Sequence, residues 1–154
     1  MPATPLTNTL ITMYVNTAVS LTPTNIEENV WFADTDGDIV NNNGGNVENY
    51  LTEVTKNGNI TWTGAVQDIR NNPSDYVVIQ NVTISNGNQS KINIDLEPSS
   101  PSGGNITHVN GRVTGNQSPL PFKYSIYFRV GKIDSNGVRT WNDFKIDPRL
   151  IINN

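Results

Sequence analysis

The sequence predicts an all-β protein, an antiparallel β-sandwich of immunoglobulin-like or jelly-roll-like type with about nine or ten strands. Three observations carry this. Short β-prone runs recur with turn signals roughly every 8–12 residues. No stretch holds a helical period, and the polar residues are mainly Asn, Thr, Ser and Gly, which favour turns and edges over helix interiors. The segment from Leu120 to Ile152 alternates like a half-buried strand and then turns back on itself.

That segment is the clearest part of the chain. Phe122, Tyr124, Ile126, Phe128 and Val130 occupy every second position, with Lys123, Ser125, Tyr127 and Arg129 between them. A period of two puts the first set on one face and the second on the other. Pro121 cannot donate to an interior ladder, so the strand is expected to begin after it. Asp134-Ser135-Asn136-Gly137 is a turn signal, because Asn and Gly tolerate positive φ. Val138 to Ile146 then returns antiparallel. Asp147-Pro148 interrupts, and Leu150 to Ile152 makes a last short strand.

The earlier elements follow in order. Thr9 to Val19 carries apolar groups on both faces, as a central strand does. Val30 to Ala33 is a short apolar run, and Asp34 to Asn46 reads as a long polar loop. Val47 to Thr55 is read as a strand because Asn49, Thr52 and Thr55 are weak helix formers. Asn57-Gly58 signals a hairpin into Ile60 to Thr63. Gln67 to Asp75 is a polar loop. Tyr76 to Ser85 is the most β-prone run of the first half. Asn86-Gly87-Asn88 marks a turn, with Ile92, Ile94 and Leu96 alternating in the returning strand. Pro98 to Asn105 is a connection. Ile106 to Thr114 is a weaker strand, expected to bulge at Gly111.

Composition bounds the function. At 154 residues, 1–154 reads as one domain, since two cores would each be small. The net charge of −4 and the scattered Lys and Arg give no basic footprint, which excludes nucleic acid and a charged membrane surface as partners. No apolar run is long enough for a transmembrane helix. Met1 to Leu10 lacks the charged and apolar regions of a signal peptide, so a cytoplasmic location is expected, the alternative being a secreted protein whose leader has been removed. The absence of cysteine removes disulfides, thiolate nucleophiles and thiolate metal sites together.

Catalytic signals are absent too. His108 is the one histidine and sits in a β-prone run. No nucleophile elbow, phosphate-binding glycine loop or zinc-protease motif accompanies it. The reading is that the protein is not an enzyme, and it needs no cofactor. The sharpest local motif is Asp34-Thr35-Asp36-Gly37-Asp38. Calcium takes six to eight hard oxygen ligands, and Asp34, Asp36 and Asp38 alternate in an oxygen-rich loop, which makes them the candidate calcium ligands. The spacing does not match an EF-hand, whose glycine and glutamate would fall on Ile39 and Gly45. The aromatics Trp31, Trp62, Trp141, Tyr14, Tyr50, Tyr76 and Tyr127 are candidates to line a sugar site, since Trp and Tyr stack on apolar sugar faces, but Trp62 lies in a β-prone run and is expected in the core. Tyr127 and Trp141 are expected at the surface, as interface or ligand-contact residues.

The C-terminal third resembles the AidA/PixA inclusion-body protein family. The resemblance rests on Tyr124 with Phe128, Asp134-Ser135-Asn136-Gly137, and Asp147-Pro148 followed by Ile151 and Ile152. Gly58-Asn59-Ile60-Thr61-Trp62 is similar to an upstream element of the same family. The resemblance implies a bacterial cytoplasmic β-sandwich without established catalytic residues. The reading is a non-enzymatic β-sandwich that acts by self-association or partner binding. A surface poor in Lys and Glu has little side-chain entropy to lose in a contact. The alternative is a calcium-assisted carbohydrate-binding or adhesin-type module.

Overall fold

The computed structural model describes residues 8–35, 39–40, 50–95 and 108–153. Its strands are β1 (Asn8–Val15), β2 (Val30–Asp34), β3 (Ile39–Val40), β4 (Leu51–Thr55), β5 (Asn59–Val66), β6 (Tyr76–Ile84), β7 (Ile92–Asp95), β8 (His108–Val113), β9 (Phe122–Ile133), β10 (Arg139–Ile146) and β11 (Arg149–Asn153). They form two sheets. The first has the order β3-β2-β1-β5-β8-β7, and the second β10-β9-β11-β4 with β6 on the other side of β9. The molecule is an all-β sandwich, as the strand pattern predicts.

Alternation builds the core. Ile11, Met13 and Val15 of β1, Ile60 and Trp62 of β5, and Phe122, Tyr124, Ile126, Phe128 and Val130 of β9 all join one buried cluster. Leu150 and Ile152 of β11 close it from the other end of the chain. Trp62 packs against Tyr124 at 5.7 Å between ring centres, and its indole Nε1–H donates to the Tyr124 hydroxyl over 3.2 Å. Gly111 faces this pair. A Cβ there would stand 3.0 Å from the Trp62 ring, so the glycine makes room for the indole. The expected bulge at Gly111 is absent, because β8 keeps unbroken register with both β5 and β7 through that residue. The irregularity falls in β6 instead, between Ile79 and Asn81.

Other expectations are also corrected. The sandwich is not antiparallel throughout: β1 runs parallel to β5, and β4 parallel to β11. Parallel neighbours need a long crossover, and these pairs bring together strands far apart in sequence. Asn57-Gly58 does not close a hairpin. Asn57 does adopt positive φ, at 66°, but the turn leads from one sheet to the other. Lys56 N donates to Asn153 O beyond β4, while Val113 N donates to Gly58 O beside β5. Asn86-Gly87 likewise passes between sheets: Ser85 N donates to Lys123 O, and Thr114 N to Lys91 O. So β7 pairs with β8 rather than returning along β6. The first strand stops at Val15, and Ile39–Val40 within the expected polar loop pairs with Ala33 and Phe32.

The Asp134–Gly137 turn is the expected hairpin. Gly137 has φ 78°. Asp134 N donates to Val138 O, and the Asp134 carboxylate accepts from Asn136 N and Val138 N, each over 2.9 Å. That is a type I turn followed by a left-handed glycine. Asp147-Pro148 then steps the chain from β10 into β11, and both strands lie along the same side of β9.

Candidate functional site

The core requires Phe122, Tyr124, Ile126, Phe128 and Val130 to point inward, so Ser125, Tyr127, Arg129, Gly131 and Ile133 point outward. The register of the hairpin then sets Trp141 opposite Gly131, Asp143 opposite Arg129, and Lys145 opposite Tyr127. On the far side of β9, Tyr76 lies opposite Gly131 and Val78 opposite Arg129. The outer face of β6, β9 and β10 therefore carries aromatic and charged side chains in cross-strand rows.

These side chains hold one another. The Arg129 guanidinium makes a two-pronged contact with Asp143, Nε to Oδ1 at 2.7 Å and Nη2 to Oδ2 at 3.1 Å. That hydrogen bond holds the Asp143 carboxyl below its ordinary range and raises the Arg129 guanidinium above its own. Arg129 also lies 5.5 Å over the Trp141 ring, Arg139 lies 5.3 Å over Tyr76, and Lys145 lies 5.9 Å over Tyr127. Each cation faces the electron-rich side of its ring. The Tyr76 ring covers Gly131, where a Cβ would stand 2.7 Å from Tyr76 Cδ1 and overlap the outer ring atoms. Trp141 nevertheless keeps 53% of its surface exposed and Tyr127 36%.

Two clefts border the hairpin. One of about 440 Å³ lies between the inward face of its free end and the segment after β1, lined by Leu21, Lys132, Thr140, Asn142 and Phe144 among others. Lys132 Nζ donates to Val19 O across it. The second, of about 310 Å³, is lined by Pro23 and Ile26 on one side and Tyr127, Asp143, Phe144 and Lys145 on the other.

The two expected surface residues, Tyr127 and Trp141, thus share one face. They sit one strand apart, and Gly131 (opposite Trp141) and Tyr127 are four residues apart on β9, roughly 13 Å. Of the other aromatics, Tyr76 joins this face from β6 and the rest scatter. Trp62 and Tyr50 are buried in the core, while Tyr14 and Trp31 pair on the opposite sheet. Of the expected calcium ligands, Asp34 ends β2 and its carboxylate accepts the Tyr50 hydroxyl over 2.7 Å. Burial, and then that hydrogen bond, push the Tyr50 hydroxyl well above the ordinary phenol range. Asp36 and Asp38 lie outside the described residues. Among the described residues no group of three His, Asp or Glu side chains could hold a metal ion. His108 is the first residue of β8, opposite Thr63.

Sequence reasoning named Tyr76 among the aromatics and set Arg129 on the outward face of its strand, but it did not bring them together with Arg139 and Asp143 at one surface. One signal was available: Gly131 is a small residue within an otherwise bulky alternating strand, and a glycine there marks a close approach. Which ring would cover it depended on pairing with β6, some fifty residues away, and no local pattern reveals that.

Among solved structures the chain is similar to the crystal structure of the inclusion body protein PixA from Burkholderia cenocepacia. The TM-score is 0.59 at 10% identity, with 99% of each chain covered. The likeness is one of fold, over the whole chain. No protein-family model matches the sequence, and no curated protein does. Among the described residues no helix is long and apolar enough to cross a membrane.

Proposed function

We propose that this chain is a non-enzymatic β-sandwich protein that works in the bacterial cytoplasm by associating with copies of itself. The observation that carries the reading is the outer face of β9 and β10. There Trp141 and Tyr127 are half-open to solvent while Arg129 and Lys145 hold the rings in place. Ordering these side chains before contact lowers the entropy that association costs. The fold shared with the inclusion body protein PixA supports the same reading.

The test is molar mass by light scattering behind a sizing column, over a dilution series. The wild type is expected at a multiple of 16.9 kDa or as a large particle. Trp141→Lys and Tyr127→Lys are expected to lower that mass without lowering the melting temperature. A wild-type monomer at every concentration removes the reading. It would turn attention to calcium and glycan binding around Asp34, Asp36 and Asp38, where a calcium-dependent rise in melting temperature that Asp36→Asn abolishes is the sign to seek.

A further inference from the structure

Among the described residues β10 is an edge strand. Its one strand partner among the described residues is β9, with unbroken register from Arg139 to Ile146. The hairpin fixes which main-chain groups face outward. Val138 O accepts from Asp134 N, so Val138 directs its backbone toward β9. Backbone direction alternates along a strand, so the N–H and C=O of Arg139, Trp141, Asp143 and Lys145 face away from β9. Among the described residues no backbone hydrogen bond from β10 reaches any other segment.

The other edges are blunted. β4 has five residues, and among the described residues β3 has two and β7 four. β6 carries a bulge, and β5 presses close to it at Gly64, where a Cβ would stand 2.9 Å from Val77 O. Short strands and bulges are what keep edges from pairing. β10 has eight residues, with no proline and no bulge.

Two axes set opposite charges together, one at Trp141 and one at Phe144; the second lies in the stretch that Pro23 and Ile26 flank and parts the two Trp141 rings, which leaves the first. A second β10 laid antiparallel along the edge must set odd-numbered residues opposite odd-numbered residues, because those carry the outward groups. With the two-fold axis at Trp141, Arg139 of each copy lies opposite Asp143 of the other, and the two Trp141 rings are neighbours. Opposed residues in such a pair are about 5.5 Å apart between Cα atoms, within reach of an ion pair. Moving the axis to Asn142 sets Arg139 opposite Lys145 twice. Moving it to Asp143 sets the two Asp143 carboxylates together, beside the stretch that Pro23 and Ile26 flank. Moving it to Thr140 leaves Asp143 opposite Gly137. Like charges directly opposed are destabilising.

We propose that β10 joins β10 of a second copy, antiparallel and centred on Trp141, so that one sheet runs through both molecules. The inference rests on the self-association reading and names its geometry. The experiment uses the full chain and two charge reversals, Arg139→Asp and Asp143→Arg, each alone and mixed in equal amounts. The wild type is expected at twice 16.9 kDa or a multiple of it. Each reversal alone sets like charges opposite at both positions, and the dissociation constant should rise on the order of tenfold or more. Mixing the two variants restores opposite charges at both positions and should restore the wild-type mass, which also shows that both variants are folded. Arg139→Asp assembling as well as or better than wild type overturns the pairing and leaves self-association standing. So does a mixture that stays dissociated while both variants keep the wild-type melting temperature, the check needed because Asp143→Arg also faces Arg129 of its own chain. A wild-type monomer at all concentrations overturns both.

Discussion

Gly131→Ala tests whether the outer face is organised as described. The backbone at Gly131 is outside the positive-φ region, so alanine has no conformational objection. By itself the change should stabilise by about 0.4–1 kcal/mol, through the unfolded chain. Space decides otherwise. The added methyl would overlap the Tyr76 ring, with Cδ1 2.7 Å away, so the ring must leave. Leaving forfeits the contact with Arg139, worth about 0.5–1 kcal/mol at an exposed site. It also returns ring surface to water, about 1–1.5 kcal/mol for a partly buried aromatic. A ring that stays off its rotamer costs a similar amount, about 0.5–1.5 kcal/mol. The net expectation is a loss of about 1 kcal/mol, or a fall of about 2–4 °C in melting temperature for a chain of this length. Urea denaturation of a double-mutant cycle with Tyr76→Ala measures the cause. In the Tyr76→Ala background Gly131→Ala should become stabilising by about 0.4–1 kcal/mol. Neutral or stabilising behaviour in the wild-type background would refute the close packing of Tyr76 on Gly131.

Three further outcomes follow from the same contacts. Tyr124→Phe leaves the Trp62 indole N–H without the acceptor it uses in the core, and should cost about 1–3 kcal/mol in urea denaturation; a change under about 0.5 kcal/mol would show that the bond contributes nothing. Burial raises the folded-state pKa of both Tyr124 and Tyr50 above the ordinary value of 10.0. The unfolded chain therefore ionises first. Their contribution is fully present below pH 10.0 and is lost as the pH rises beyond it, by up to about 1.4 kcal/mol per pH unit for each ring, so alkaline unfolding and phenolate absorbance should rise together. Asp143 has the opposite sign: its folded pKa is depressed by Arg129, so its contribution is present above the ordinary aspartate value of 3.8 and is lost as the pH falls through the lower folded value. Arg129→Met should flatten the acid limb of a melting-temperature profile there, and an unchanged limb would mean the pair adds no stability.

The sandwich class and the clearest element could be read from the residues. The alternation from Phe122 to Val130 assigned inside and outside correctly, and it put Tyr127 on the solvent side. The Asp134–Gly137 turn joined the two strands it was expected to join. Trp62 in the core and Trp141 at the surface followed from the same patterning. These successes are local. A period of two reports burial because successive side chains point to opposite faces, and a three-residue loop holds its two strands together.

What failed in the sequence reading was the choice of partner. Asn57-Gly58 and Asn86-Gly87 resemble the hairpin turn in chemistry, yet each carries the chain from one sheet to the other. A turn residue specifies its own backbone angles. It does not specify which strand will accept the next hydrogen bonds. That is settled by burial, when Trp62 and Tyr124 close on each other across the core and β1 lies down beside β5. The same holds for the surface. The sequence by itself determined that β9 and β10 carry aromatic and charged residues on an outward face. Only the tertiary structure decided that Tyr76 covers Gly131, that Asp143 meets Arg129, and that β10 lies at an edge among the described residues, because cross-strand register is a contact between distant segments and no local pattern encodes it.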